Sequence, residues 1–361
     1  MPDVSAQTAA GPRAEPAVRL ADYTTLRLGG PAPRVLHASS AEDMVRIARE
    51  AYAAGGPVLV LAGGSNVVIG DGEFPGTVLL VRSTGLAQRR DGASVLLSVQ
   101  AGEEWDDVVA ATVAAGWAGL ECLSGIPGSA GATPIQNVGA YGQEVAETIE
   151  SVRVYDRLTG EVLVLPPAAC GFAYRTSVFK HSDRALVLSV DFRLRVSGES
   201  MPVRYAELAR ALDIPPGGTA PLADVRAAVL ALRAGKGMVL DERDPDTYSV
   251  GSFFTNPVLD AAAYAALHGR LPEGGRPPSW PAPDGGVKVS AAWLIEHAGF
   301  TKGYGHSNGV GISTKHTLAL TNRGGGTTAA LLELAREIRD GVRDRFGVWL
   351  HPEPVLVNCE L

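Results

Sequence analysis

SGIPGSAGATPIQNVGAYGQE, residues 124–144, carries five glycines and a single charged side chain. Glycine forgoes side-chain packing and loses more freedom on folding than any other residue, so a stretch this bare has a physical reason. Either the chain turns tightly there, or something comes so near the backbone that a Cβ does not fit. Amides uncovered in this way, with serine, threonine and asparagine among them, also make a surface of neutral donors for an anion. A second stretch of the same kind, LAGGSNVVIG, lies upstream at 61–70.

Both loops follow strand-like runs. From residue 34, RVLHAS reads as a strand, SAEDMVRIAREAYAAGG as a helix with Ser40 as its N-cap and glycine at its close, and PVLVLA as a second strand, which together make a β-α-β unit. TVLLVR follows as another strand. ASVLLSVQAG and EEWDDVVAATVAAG repeat the strand-helix logic and lead into 124–144. Beyond it come a hairpin, VRVYDRLTGEVLVLP, turning at 158–160, the strand ALVLSVDFRLRV, and a helix over 221–234. Composition shifts again over AGKGMVLDERDPDTYSVGSFFTNP. Residues 271–287, LPEGGRPPSWPAPDGGV, read as an irregular surface loop. SAAWLIEHAG and TAALLELAREIRDGVRDRF are helices flanking the strand HTLALTN, with RGGG at 323–326 closing that strand. The pattern predicts an α+β fold in three pieces.

A chain of 361 residues is long for one core, so two or three domains are expected. Its 46% hydrophobic and 20% charged residues are those of a globular protein. A net charge of −7 gives no basic footprint for DNA or RNA, so an anionic ligand must be held locally. Cys122, Cys170 and Cys359 are too few and too far apart for a disulfide framework or a CxxC site, which fits a reducing cytoplasm. MPDVSAQTAAGPRAEPAV has no basic start followed by an apolar run; it reads as a disordered Ala/Pro-rich tail over 1–19 rather than a secretory signal. No window offers a membrane span. His306 and His316 lack a third ligand at metal spacing, so no metal is expected.

Neither loop holds the G-x-G-x-x-G of a Rossmann turn or the G-x-x-x-x-G-K-[ST] of a P-loop. Either one alone is equally well read as a tight turn packed on a strand. Two of them, each after a strand, point to a diphosphate held by main chain, as in a dinucleotide cofactor.

In order along residues 20–361, YTTLRLGGPA, LAGGSNVVIG, SGIPGSAGATPIQNVGAYGQE, FAYRTSVFK, GSFFTNP, AAWLIEHAG and LHPE resemble the UDP-N-acetylenolpyruvoylglucosamine reductase (UDP-N-acetylmuramate dehydrogenase) family of peptidoglycan precursor synthesis. The resemblance implies a two-part FAD-binding region of the vanillyl-alcohol-oxidase/PCMH-like type, 20–84 with 347–361 and then 85–235, and a smaller α+β substrate domain over 236–346. It implies noncovalent FAD and NADPH as reductant. Gly63, Gly64, Ser65 and Asn66 from the first loop, with Gly128, Ser129, Gly131, Ala132, Asn137 and Gly139 from the second, would contact the FAD. MPVRYAELARAL looks like the extra loop of one form of the family, with Tyr205 closing on the UDP-sugar, while Lys236 and Asn256 match residues holding its diphosphate. The expected partners are the UDP-sugar and NADPH alone, met by a monomer.

The implied reaction turns an enolpyruvyl ether into a lactyl ether: a hydride reaches the methylene carbon and a proton the carbon bearing the carboxylate. Ser252 in GSFFTNP matches the proton donor, which need not be acidic because the enolate it protonates is strongly basic. Arg175 in FAYRTSVFK offers the carboxylate a planar fork. Glu353 in HPE matches a glutamate facing the enolate, useful there as a donor only when protonated, a state that burial favours. Two other readings remain open: a nucleotide-sugar binding protein without redox chemistry, and another FAD oxidoreductase of the same fold. Against the second, LAGGSNVVIG has no histidine through which such oxidases tether flavin.

Overall fold

A computed structural model of the protein describes residues 18–282 and 285–361. Strand Thr77–Val81 lies at the centre of a small sheet, parallel to Arg34–Ala38 on one side and Val58–Leu61 on the other. All its residues are buried, as befits an unbroken apolar run in a parallel strand covered on both faces. Helix Ala41–Ala53 covers one face. Ser40 Oγ accepts the Asp43 N–H at 3.0 Å to start it, and Met44, Ile47, Ala48 and Ala51 make its buried stripe. That stripe meets Leu79 and Val81 of the parallel sheet and also Leu186 and Leu188 of the next one, so a single helix joins two units.

The second sheet is antiparallel. Its strands run in the order Val162–Leu165, Ile149–Asp156, Ala185–Val196, Ser94–Gln100, Leu86–Asp91, with Trp117–Ala118 pairing the end of Ala185–Val196. Val95, Leu97 and Val99 alternate inward and pack with Trp105, Val108 and Val109 of helix Trp105–Ala114. Beside this core, helices Ala206–Ala211 and Leu222–Gly235 close a small cluster of Leu208, Val225 and Val229. In the third unit, strands Ser249–Ser252, Ala319–Asn322 and Val310–Ile312 form a sheet packed with helices Ala291–His297 and Thr328–Phe346. The chain then returns: Val355–Val357 pairs in parallel with Val67–Ile69.

Several expectations change. The 271–287 segment is not wholly irregular: Ser279–Pro281 pairs with Val287–Val289, placing Trp280 opposite Lys288. Pro281 is tolerated because the strand is an edge, where a missing N–H breaks no ladder. Val18–Arg19 pairs with Pro31–Ala32 instead of belonging to a tail; the rest of that tail lies outside the described residues. Helix Ala261–His268, capped by Asp260, was not anticipated. Among the described residues no helix is long and apolar enough to cross a membrane.

Candidate active site

A cleft of about 1220 Å³ opens among the three units, and both glycine loops line it. Their glycines are first of all demanded by the protein itself. A Cβ on Gly63 would lie 2.6 Å from Gly128 Cα, one on Gly64 2.0 Å from Tyr23 O, and one on Gly131 2.5 Å from Ala101 Cβ. The two loops therefore press backbone against backbone at Gly63 and Gly128, while Gly64 and Gly131 pack as closely on Tyr23 and Ala101. Ser65 Oγ donates to Pro127 O at 2.9 Å and Asn66 Nδ2 to Gln136 Oε1 at 2.6 Å, which zips the loops together. Gly63, Gly64, Ser65, Asn66, Gly128, Ser129, Gly131, Ala132 and Gly139 all face the cleft. Ser129 Oγ is buried there without a hydrogen-bond partner, a polar atom left for a ligand. Asn137 departs from expectation. It does not line the cleft; its Nδ2 donates to Glu144 Oε2 and Ala173 O while its Oδ1 accepts from Ala146 N–H, so its side chain braces the loop from behind.

Ser252 reaches the cleft through a register shift in its strand, after Gly251 at φ +74. Such a bulge re-aims the side chain that follows. The next residues, Phe253 and Phe254, are fully buried and anchor it. Residues 253–255 run beside 351–353: Glu353 N–H donates to Phe253 O at 2.8 Å and Thr255 N–H to His351 O at 3.0 Å. This pairing delivers Glu353 to the wall that holds Ser252.

Arg175 sits at φ +55, a strained conformation for a non-glycine residue. Its Nε meets Glu353 Oε1 at 3.4 Å, Nη2 donates to Gly139 O at 2.6 Å, and Nη1 contacts Asn137 O at 3.5 Å. Burial pushes the Glu353 carboxyl above its ordinary range, opposed by Arg175 and Lys180. Burial thus favours the protonated carboxyl, and the two cations favour the ionised one. Asn256 Oδ1 accepts from Ala291 N–H at 2.9 Å. Asn256 thus lines the cleft while capping a helix.

At the other end, Tyr205 precedes helix Ala206–Ala211 and lies edge-on to Tyr141, ring centroids 5.5 Å apart. Lys236 Nζ is 2.7 Å from Glu207 Oε2 and 5.7 Å from the Tyr141 ring centre. Four cleft residues escaped the sequence reading. Arg233, one helical turn before Lys236, has a buried Nε without a partner, and burial pulls its pKa down to about 10. His316, considered from sequence only as a metal ligand and set aside, lines the cleft with its pKa lowered to about 4 by burial and by Lys236. Trp280 and Lys288 come from the hairpin mistaken for a loop, with Lys288 Nζ 4.6 Å above the Tyr174 ring. Among the described residues no cluster of His, Cys, Asp or Glu could hold a metal.

Facing glycine loops, an orphaned serine hydroxyl and a cation-lined far end fit a dinucleotide in one half of the cleft and a second anionic ligand in the other. The profile of an FAD-binding domain matches residues 32–166, and that of the UDP-N-acetylenolpyruvoylglucosamine reductase C-terminal domain matches 244–357. UDP-N-acetylenolpyruvoylglucosamine reductase of Salinispora arenicola is 66% identical over 345 residues, 95% of each chain. The same-named protein of a Mycobacterium species is 55% identical over 99% of this chain and 100% of its own. Among solved structures, UDP-N-acetylenolpyruvylglucosamine reductase from Thermus caldophilus superimposes with a TM-score of 0.63 at 26% identity, over 95% of this chain and 98% of that one. With profiles matching on both sides of the cleft and relatives alike from end to end, the chain belongs to the UDP-N-acetylenolpyruvoylglucosamine reductase family.

Proposed function

We propose that the protein reduces the enolpyruvyl ether of UDP-N-acetyl-3-O-(1-carboxyvinyl)-glucosamine to the lactyl ether of UDP-N-acetylmuramate, with NADPH as reductant and noncovalent FAD between them, as a cytoplasmic monomer making a cell-wall precursor. The observation that carries this reading is the convergence of Ser252, Arg175 and Glu353 on the cleft lined by both glycine loops. FAD, bound along those loops, supplies hydride transfer to the substrate's methylene carbon.

The chain's own residues do the rest. Arg175 keeps one N–H on each terminal nitrogen beyond its protein contacts, free for a substrate carboxylate. As negative charge grows on that carboxylate and the adjoining carbon, the guanidinium, already fixed by Gly139 O and Glu353, needs no reorganisation. Ser252 gives its hydroxyl proton to the carbon bearing the carboxylate, completing the addition. Glu353, when protonated, donates a hydrogen bond to the enolate oxygen. Arg233 and Lys236 face the diphosphate, which takes the unpartnered Arg233 Nε and competes with Glu207 for the Lys236 ammonium.

An anaerobic titration tests this. NADPH should bleach the yellow protein, and the UDP-enolpyruvyl sugar should restore the colour stoichiometrically. A protein that bleaches but is not reoxidised by that sugar would be another flavin oxidoreductase.

A further inference from the structure

Lys180 closes the FAYRTSVFK motif, and its side chain is absent from the cleft wall although its neighbours Phe179 and His181 are part of it. Its half-buried ammonium turns to the back of the site. There Nζ donates to Arg175 O at 3.1 Å and to Glu353 O at 3.0 Å. These are the backbone carbonyls of the two residues whose side chains form the ion pair, and they come from segments far apart in sequence. We propose that Lys180 is the positioning residue of this site, one ammonium that pins the Arg175 and Glu353 backbones in register so that their side chains meet the substrate carboxylate together. The proposal rests on the function given above.

Two features give the pin its purpose. Arg175 occupies a left-handed conformation at φ +55, which is strained for a non-glycine residue and persists only where neighbours enforce it. Lys180 binds the carbonyl of that very residue. Glu353, for its part, is held on one side by the N–H bond to Phe253 O; without Lys180 its carbonyl would lose its partner on the Arg175 side. A charge-assisted hydrogen bond is roughly twice as strong as a neutral one, so a single ammonium makes a firm tie between segments.

The same ammonium also acts as a charge. The groups facing the Glu353 carboxyl are Arg175, Lys180 and Tyr174, with Lys288 beyond the Tyr174 ring. Burial raises the Glu353 pKa, and Lys180 opposes that rise. Removing the charge lets the pKa climb further, so the pH limb governed by Glu353 moves to higher pH whichever protonation state is active.

Lys180→Met and Lys180→Gln, purified with FAD, test this in stopped flow over a pH series. The Met variant has a side chain of similar length with neither donor nor charge; the Gln variant keeps N–H donors and loses the charge. Reoxidation by the UDP-enolpyruvyl sugar should slow about 10- to 100-fold in the Met variant, the scale set by a misplacement of roughly 1 Å, and less in the Gln variant. Bleaching by NADPH should slow far less in both. The limb should shift upward in both, which a merely structural lysine would not produce. If the Met variant fails to hold FAD, the limb of the Gln variant decides. Equal slowing of the two half-reactions, or an unmoved limb in the Gln variant, overturns the proposal. A parent enzyme that the UDP-enolpyruvyl sugar fails to reoxidise would instead overturn the function on which it rests.

Discussion

Gly63→Ala adds a methyl group where Gly128 Cα would stand 2.6 Å away. Carbon atoms at rest sit about 3.5–4.0 Å apart, so the loops must separate by about 1 Å. Neither side can yield cheaply, since the obstacle is backbone and not the tip of a flexible side chain. Overpacking of this kind costs about 1–3 kcal/mol. The Ser65 Oγ to Pro127 O bond, now 2.9 Å, would stretch toward breaking as the loops part, adding about 1 kcal/mol. Because both loops line the cleft, much of that cost falls on the cofactor, and at 1.4 kcal/mol per factor of ten FAD binding should weaken by roughly 10- to 100-fold. Equilibrium release of FAD, followed by the recovery of its fluorescence on dilution, measures this directly. Gly198→Ala is the control, since nothing lies within 4 Å of a Cβ there. A Gly63→Ala protein that holds FAD as tightly as its parent, with the same melting temperature, would refute the claim that these glycines serve loop-to-loop packing.

Other substitutions separate roles that the cleft brings together. Ser252→Ala should still bleach with NADPH but reoxidise about 10²- to 10⁴-fold more slowly with the UDP-enolpyruvyl sugar; equal slowing of both steps would make Ser252 structural. Tyr205→Ala should weaken UDP-sugar binding with FAD content unchanged, measured by titration calorimetry, because a ring edge-on to Tyr141 is well placed to cover the ligand; unchanged affinity would remove that role. Acid precipitation should leave all the yellow colour in the supernatant, as no histidine or cysteine occurs in either glycine loop; a coloured pellet would contradict noncovalent binding. Asp246 is buried, which alone would raise its pKa, yet Thr314 and Arg323 hold it below the ordinary 3.8. A depressed folded-state pKa gives stability that is present above the unfolded value and lost as pH falls through the folded one. Asp246→Asn should therefore flatten the acid limb of the melting-temperature profile below about pH 4, and an unaltered limb would show that other carboxylates set it.

Periodicity made the regular elements legible. Ser40 was readable as a cap, the unbroken TVLLV run as a central strand, and the alternation in SVLLSVQ as a half-buried one. Strand Leu86–Asp91 was not, because every residue of LAQRRD is exposed and no apolar period marks it. The Ser279–Pro281 strand hid behind prolines that an edge accepts. Motif order alone brings Ser252, Arg175 and Glu353 to one site, and the bareness of the glycine loops points to close backbone approach, but neither shows that Gly63 meets Gly128 or that the Asn137 side chain turns away from the cleft. Arg233 and His316 carry no local signature, and Lys180, although it closes FAYRTSVFK, carries none for the contacts it makes. Their roles depend on which groups surround them after folding, and single-sequence periodicity holds no record of that.

The return of the chain has a consequence for biosynthesis. Val355–Val357 is the parallel neighbour of Val67–Ile69, and Glu353 lies just ahead of it. A nascent chain that has emerged only as far as residue 350 can already build the antiparallel sheet, whose strands are close in sequence, but lacks both the partner of Val67–Ile69 and the glutamate of the cleft. Pairings between strands so distant in sequence form late, since the long loop between them must be closed first. The cleft is thus complete only once residues 351–357 have been synthesised and seated between Val67–Ile69 and Phe253.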